Sequence, residues 1–134
     1  MPSIIMIWFV AIGGAVGSVV RFLLSVMIQR AGDGLFPLGT LVINITGSFL
    51  LGFLMRYALG SSSVTPEVQA LLTTGFCGGY TTFSTFSYES VSLIETGQYG
   101  RAGLYVGLSV GVSLLATIAG MWAAHALLAF RARA

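Results

Sequence analysis

The sequence predicts an all-α membrane protein, a single domain over residues 1–134, built from four transmembrane helices with the third broken in mid-membrane. Three observations carry this expectation. Hydrophobic residues make up 56% of the chain and charged ones 7%, with a mean hydropathy of +0.94, whereas a soluble domain keeps roughly a quarter of its residues charged to face water. The apolar residues gather into four segments, each close to the ~20 residues that cross the hydrocarbon. Finally, the third segment carries adjacent glycines and a run of hydroxyl residues where a continuous helix would want helix formers.

The first span runs from about Ser3 to Ile28. No basic region precedes Ile4, and the apolar run is too long for a cleaved secretory peptide, so it reads as a retained helix. Gly13 and Gly17 stand four apart on it, a spacing that lets helices approach closely. Arg21, in its later part, would cost roughly 2.5–3.5 kcal/mol in hydrocarbon. It either snorkels to the interface or lends a wet vestibule a positive field that concentrates anions.

The second span, about Pro37 to Leu59, carries Thr40, Asn44 and Ser48 at i, i+4 and i+8, one polar stripe on one face. The fourth, about Arg101 to Phe130, repeats the device with Tyr105, Ser109 and Ser113, and places Gly107 and Gly111 four apart. One stripe alone could be interhelical glue. Two stripes beside the third span read better as the wall of a wet pathway.

The third span, about Glu67 to Ile94, is the informative one. Gly78 and Gly79 are adjacent, and a break there would free backbone N–H and C=O groups at membrane depth, tolerated only where protein buries them or water and ions satisfy them. Such exposed helix ends form ion sites, with N–H groups drawing anions and carbonyls drawing cations. Of the seven residues from Thr81 to Ser87, five are hydroxylic and the others are Phe83 and Phe86. The two rings share a face, Ser84, Thr85 and Ser87 add donors beside them, and a ring's positive edge can stabilise an anion. Glu89, one turn beyond Phe86, is either a proton carrier or a structural acceptor for neighbouring hydroxyls.

Other function classes find little support. A net charge of +2 spread along the chain gives no nucleic-acid patch, and Cys77, as the only cysteine, permits no intrachain disulfide. No hydroxyl sits beside a plausible base, and no residues have metal-ligand spacing, so the sequence offers no enzyme site. Arg56, Arg131 and Arg133 fall on the side of both termini, and Arg30 and Arg101 on the other, with Arg21 near the latter. Orientation normally follows a clear Lys/Arg asymmetry. Its near absence predicts insertion both ways up and an antiparallel homodimer, which four thin helices need in any case to enclose a path.

Three blocks then bear a specific likeness: GGAVGSVVRF from Gly13 to Phe22, PLGTLVINITGSFLLG from Pro37 to Gly52, and GFCGGYTTFSTF from Gly75 to Phe86, with Glu89 following. Over nearly its whole length the chain resembles the fluoride channel family (Fluc, also called CrcB). The resemblance implies passive, fluoride-selective export across the bacterial inner membrane through two pores of an antiparallel dual-topology homodimer. It implies a structural sodium ion held by the backbone carbonyls of Gly78 and Thr81. It implies Phe83 and Phe86 as rings facing fluoride, Asn44 as a donor beside them, and Ser84, Thr85 and Ser87 as a polar track. Tyr105, Ser109 and Ser113 would line the pore further along, Arg21 would stand in the vestibule, and Glu89 would be a structural or pore-side acid. Rival readings are a proton-coupled fluoride antiporter with Glu89 as carrier, a small multidrug-type transporter, and a non-transporting membrane organiser. The second wants a glutamate in the first helix, and residues 3–28 hold no Asp or Glu.

Overall fold

A computed structural model describes residues 3–32 and 34–133. Among them all regular structure is helical. Helix α1 spans Ile4–Ala31, opened by Ser3, whose hydroxyl accepts the Met6 N–H at 3.2 Å. It runs three residues past the expected Ile28 because Gln29 is put to structural use. Its side chain donates to the Phe36 carbonyl at 3.0 Å and accepts from the Gly39 N–H at 3.3 Å, tying the connection to α2 (Leu38–Gly60).

Next come α3 (Pro66–Ala70), a π-helical stretch over Leu71–Cys77, and α4 (Gly78–Tyr80), one continuous rod. Thr65 caps its start and Pro66 occupies the first turn, where a missing N–H costs nothing. The backbone then turns extended at Thr81 and Thr82, and α5 (Phe83–Glu95) begins anew with Thr82 as its cap. Helix α6 spans Tyr99–Arg131, and Gly97 at φ 74° makes the turn before it in a conformation that favours glycine.

Three helices, α1, α2 and α6, are long and apolar enough to cross a membrane, so this is an all-helical membrane protein. The segment from Pro66 to Glu95 is delivered as two rods joined at Thr81 and Thr82. Helices α2 and α6 run side by side in the same direction, with Gly52 against the Thr117 carbonyl and Gly120 against that of Phe49. On the other flank α1 lies on the π-helical stretch and α4. A Cβ at Gly13 would sit 2.2 Å from the Leu71 carbonyl, and one at Gly17 would sit 2.2 Å from that of Phe76. Gly107 and Gly111 behave otherwise, because they face open space and support no contact within the chain.

The buried centre is small: Leu41, Leu93, Ala102 and Tyr105, joined by Phe36, Ile45 and Phe86. Most large apolar side chains point outward, Trp8, Val19, Leu115 and Trp122 among them. In water that surface would drive aggregation. Against lipid tails it costs nothing.

Candidate functional site

The interruption between α4 and α5 is held by side chains from both flanking helices. Asn44 of α2 grips Thr82 twice: its Oδ1 accepts the Thr82 N–H at 2.8 Å and its Nδ2 donates to the Thr82 carbonyl at 3.1 Å. In a continuous helix that N–H would reach back to Gly78, so the amide replaces one ladder bond and fixes the break. Thr82 in turn caps α5, its hydroxyl accepting from the Thr85 N–H at 3.2 Å. Gly47, one turn beyond Asn44, makes room, since a Cβ there would meet the Thr81 methyl at 2.3 Å.

From the opposite side α1 closes the end of α4. The Arg21 Nε donates to the Gly79 carbonyl at 3.0 Å, and the Ser18 hydroxyl reaches the same oxygen at 3.4 Å. A guanidinium at a helix C-terminus meets both an orphan acceptor and the negative end of the dipole, which offsets its cost at depth. Arg21 is thus spent on the break and does not stretch away to a helix end.

A groove of about 320 Å³ opens where α2, α5 and α6 face one another. Asn44, Ser48, Thr82, Phe83, Phe86, Ser109 and Ser113 line it together with aliphatic side chains. The rings of Phe83 and Phe86 lie 5.5 Å apart at 50° to each other. Phe86 leans on Tyr105, whereas Phe83 is 79% exposed at the groove's open side. Across from them the Ser109 and Ser113 hydroxyl oxygens are buried with no hydrogen-bond partner. Buried hydroxyls are nearly always paired, so two without a well-formed bond, on residues that line one groove, leave polar capacity in its wall.

Beyond Tyr105 the polar lining continues. Glu89 accepts from the Tyr105 hydroxyl at 2.7 Å and from the Thr40 hydroxyl at 3.0 Å, a carboxylate committed to two structural donors. Glu89 also edges a second hollow of about 370 Å³ among Ser25, Gln29, Tyr88, Ser92 and Gln98. Gly78 and Thr81 share a third cleft, with Thr73, Thr74 and Cys77. The Thr81 hydroxyl and N–H both bond the Cys77 carbonyl there, at 2.9 and 3.0 Å.

The structure therefore gathers Asn44, Phe83, Phe86, Ser109 and Ser113 around one groove and ties Tyr105 to Glu89 behind it. It does not bring Ser84, Thr85 and Ser87 to that groove. Thr85 accepts from the Thr82 hydroxyl at 3.0 Å, Ser84 lies 3.3 Å from the same oxygen, and Ser87 bonds back to the Phe83 carbonyl at 2.9 Å. Thr82 and Ser18 were missed from sequence. Threonine ahead of a helical run is a favoured N-cap and could have flagged the first, but nothing local marks Ser18.

A family model described as CrcB-like protein, Camphor Resistance (CrcB), matches residues 8–121. A relative from Rhizobium meliloti, named fluoride-specific ion channel FluC, is 48% identical over 86% of this chain and 92% of its own length. One of the same name from Geobacter sulfurreducens is 45% identical over 88% of this chain and 95% of its own. Another, from Methanopyrus kandleri, is 44% identical over 92% of both.

Proposed function

The chain belongs to the CrcB-like family, and on that footing we propose that it is a passive fluoride-selective channel, not an enzyme, which exports fluoride across the bacterial inner membrane. The observation that carries this reading is that Asn44, Ser109 and Ser113 line one groove with two phenyl rings in an otherwise apolar bundle.

Fluoride is small and holds its water tightly. A narrow path must replace that water with many donors, none strong enough to trap the ion. Hydroxyl hydrogens from Ser109 and Ser113, the amide of Asn44 and the positive edges of Phe83 and Phe86 supply such a sequence of weak sites. Beyond them Tyr105 and Glu89 lead toward the second hollow. Arg21, bonded to the break, keeps a fixed positive charge beside the path without obstructing it. Ser84, Thr85 and Ser87, turned away from this groove, would serve as a track on a second face of α5.

The groove is a trough, open along Phe83. A second, inverted copy would close it and make two pores, with the break at the membrane midplane. The open glycines of α6 supply a surface on which a helix could pack closely. Gly78 and Thr81 suit the sodium reading: Asn44 takes the N–H that would otherwise cover the Gly78 carbonyl, and neutral oxygens at a helix C-terminus fit a hard monovalent cation. When bound between copies, that ion would supply positive charge offsetting the repulsion an anion meets in a low-dielectric interior.

The test is fluoride efflux from liposomes containing the purified protein, read with a fluoride electrode. Rapid efflux that needs valinomycin to carry compensating potassium, with chloride retained, is the expected result. Efflux indifferent to valinomycin would indicate proton-coupled exchange instead, and none at all would remove the reading.

A further inference from the structure

We propose that the cleft between α2 and α6 formed by Arg56, Ile118, Met121, Trp122 and His125 binds the phosphate of an anionic phospholipid from the surrounding bilayer. The cleft holds about 370 Å³, and none of its lining residues is acidic. Its floor is apolar and outward-facing, with Ile118 62% and Trp122 77% exposed, and its rim is a guanidinium and an imidazole. Neither Arg56 nor His125 is bonded to another described residue. Two donor groups thus stand free over an acyl-compatible surface. Guanidinium pairs bidentately with phosphate, and the imidazole adds a further N–H.

Depth agrees with the chemistry. Arg56 lies nine residues beyond Gly47 on the same helix, about 13 Å at ~1.5 Å per residue. Half the hydrocarbon thickness is about 15 Å. The cleft then stands where acyl chains meet phosphates and where tryptophan collects. This depth rests on the channel reading, which sets the break at the midplane, whereas the test below does not. Arg131, held to the Tyr57 hydroxyl and ring, and Arg133 add positive charge at the same end of the molecule. A choline headgroup would bring its own cation against that field. An anionic headgroup such as phosphatidylglycerol would not.

The chain has two tryptophans, Trp8 and Trp122, so a Trp8→Phe variant reports on the cleft alone. Reconstituted into phosphatidylcholine vesicles, its fluorescence is followed as lipids with brominated chains are introduced. Brominated phosphatidylglycerol should reach half-maximal quenching at a several-fold lower mole fraction than brominated phosphatidylcholine. Adding Arg56→Gln and His125→Gln should bring that ratio toward one, while Arg56→Lys keeps most of it. Size-exclusion elution and a helical circular-dichroism spectrum matching the parent protein show that each variant is folded. Equal quenching by both lipids in the Trp8→Phe protein overturns the proposal, as does relief of the preference by excess inorganic phosphate, which would mean a soluble-anion site. Quenching by neither lipid also overturns it, since a second copy would then cover the face.

Discussion

Asn44 illustrates how one side chain can both hold a helix break and line a groove. Its amide satisfies both backbone groups of Thr82 at the break, and its position on the groove leaves it beside the rings. Replacement by leucine would orphan a part-buried N–H and a part-buried carbonyl, each costing up to about 1–3 kcal/mol. Asn44→Leu should therefore lower fluoride efflux more than tenfold and also lower the melting temperature in detergent by several degrees. A variant that melts normally would mean that the break does not depend on the amide. Ser109 and Ser113 make the opposite case, because neither buried hydroxyl makes a well-formed hydrogen bond to another described residue. Ser109→Ala and Ser113→Ala should leave the melting temperature within about 2 °C while cutting efflux several-fold. An equal loss of both would show that the hydroxyls hold the helices together. The polar stripes were legible in the sequence, since i, i+4 spacing places residues on one face. Which hydroxyls find an acceptor was not, because Thr40 and Tyr105, first in their stripes, both donate to Glu89, which stands 49 and 16 residues away from them in the chain.

At the scale of the helices, glycine spacing carried less information than glycine environment. Gly13 and Gly17 share their four-residue spacing with Gly107 and Gly111, but backbone atoms crowd the first pair and open space faces the second. Adding a methyl group at Gly17 would force α1 off the π-helical stretch and carry Ser18 and Arg21 away from the Gly79 carbonyl. Gly17→Ala should thus sharply reduce the yield of folded protein in size-exclusion chromatography, with whatever survives conducting poorly. Gly107→Ala should leave the subunit's own fold intact, and similar damage from both would contradict the packing described. The glycine pair and the hydroxyl run marked an interruption, because neither supports helix, but at the wrong place: Gly78 and Gly79 are helical, in α4, and the backbone turns extended at Thr81 and Thr82. They did not reveal its other half, the Asn44 and Arg21 contacts, because those partners stand 38 and 58 residues away in the chain. The π-helical turn before it was not foreseen either: Gly75 to Cys77 belong to the stretch that reads as a poor continuous helix, but nothing in Leu71–Cys77 singles out a π-helix.

For the whole molecule the open question is which way up it sits, and the structure alters the charge count. Arg21 is bonded to Gly79 at the break and no longer belongs to either flank. On the four-span reading Arg56, Arg131 and Arg133 then stand against Arg30 and Arg101, three against two, a difference too small to fix orientation firmly. A chain so balanced should insert in both senses, and on the proposed antiparallel pairing an inverted neighbour would close the trough of each subunit. This gives a test in which topology and transport must move together. Ser61→Lys with Ser63→Lys adds two positive charges to the connection before α3, and Glu95→Lys with Gln98→Lys adds them at the opposite end. Expressed alone, each variant should orient uniformly, with a C-terminal reporter reading on one side only, and cells lacking their own fluoride exporter should stay fluoride-sensitive. Expressed together, the two should restore resistance, because each now supplies the orientation that the other lacks. Resistance from either biased variant alone would show that parallel copies, or single ones, suffice, and that the near-neutral charge balance serves no purpose in assembly.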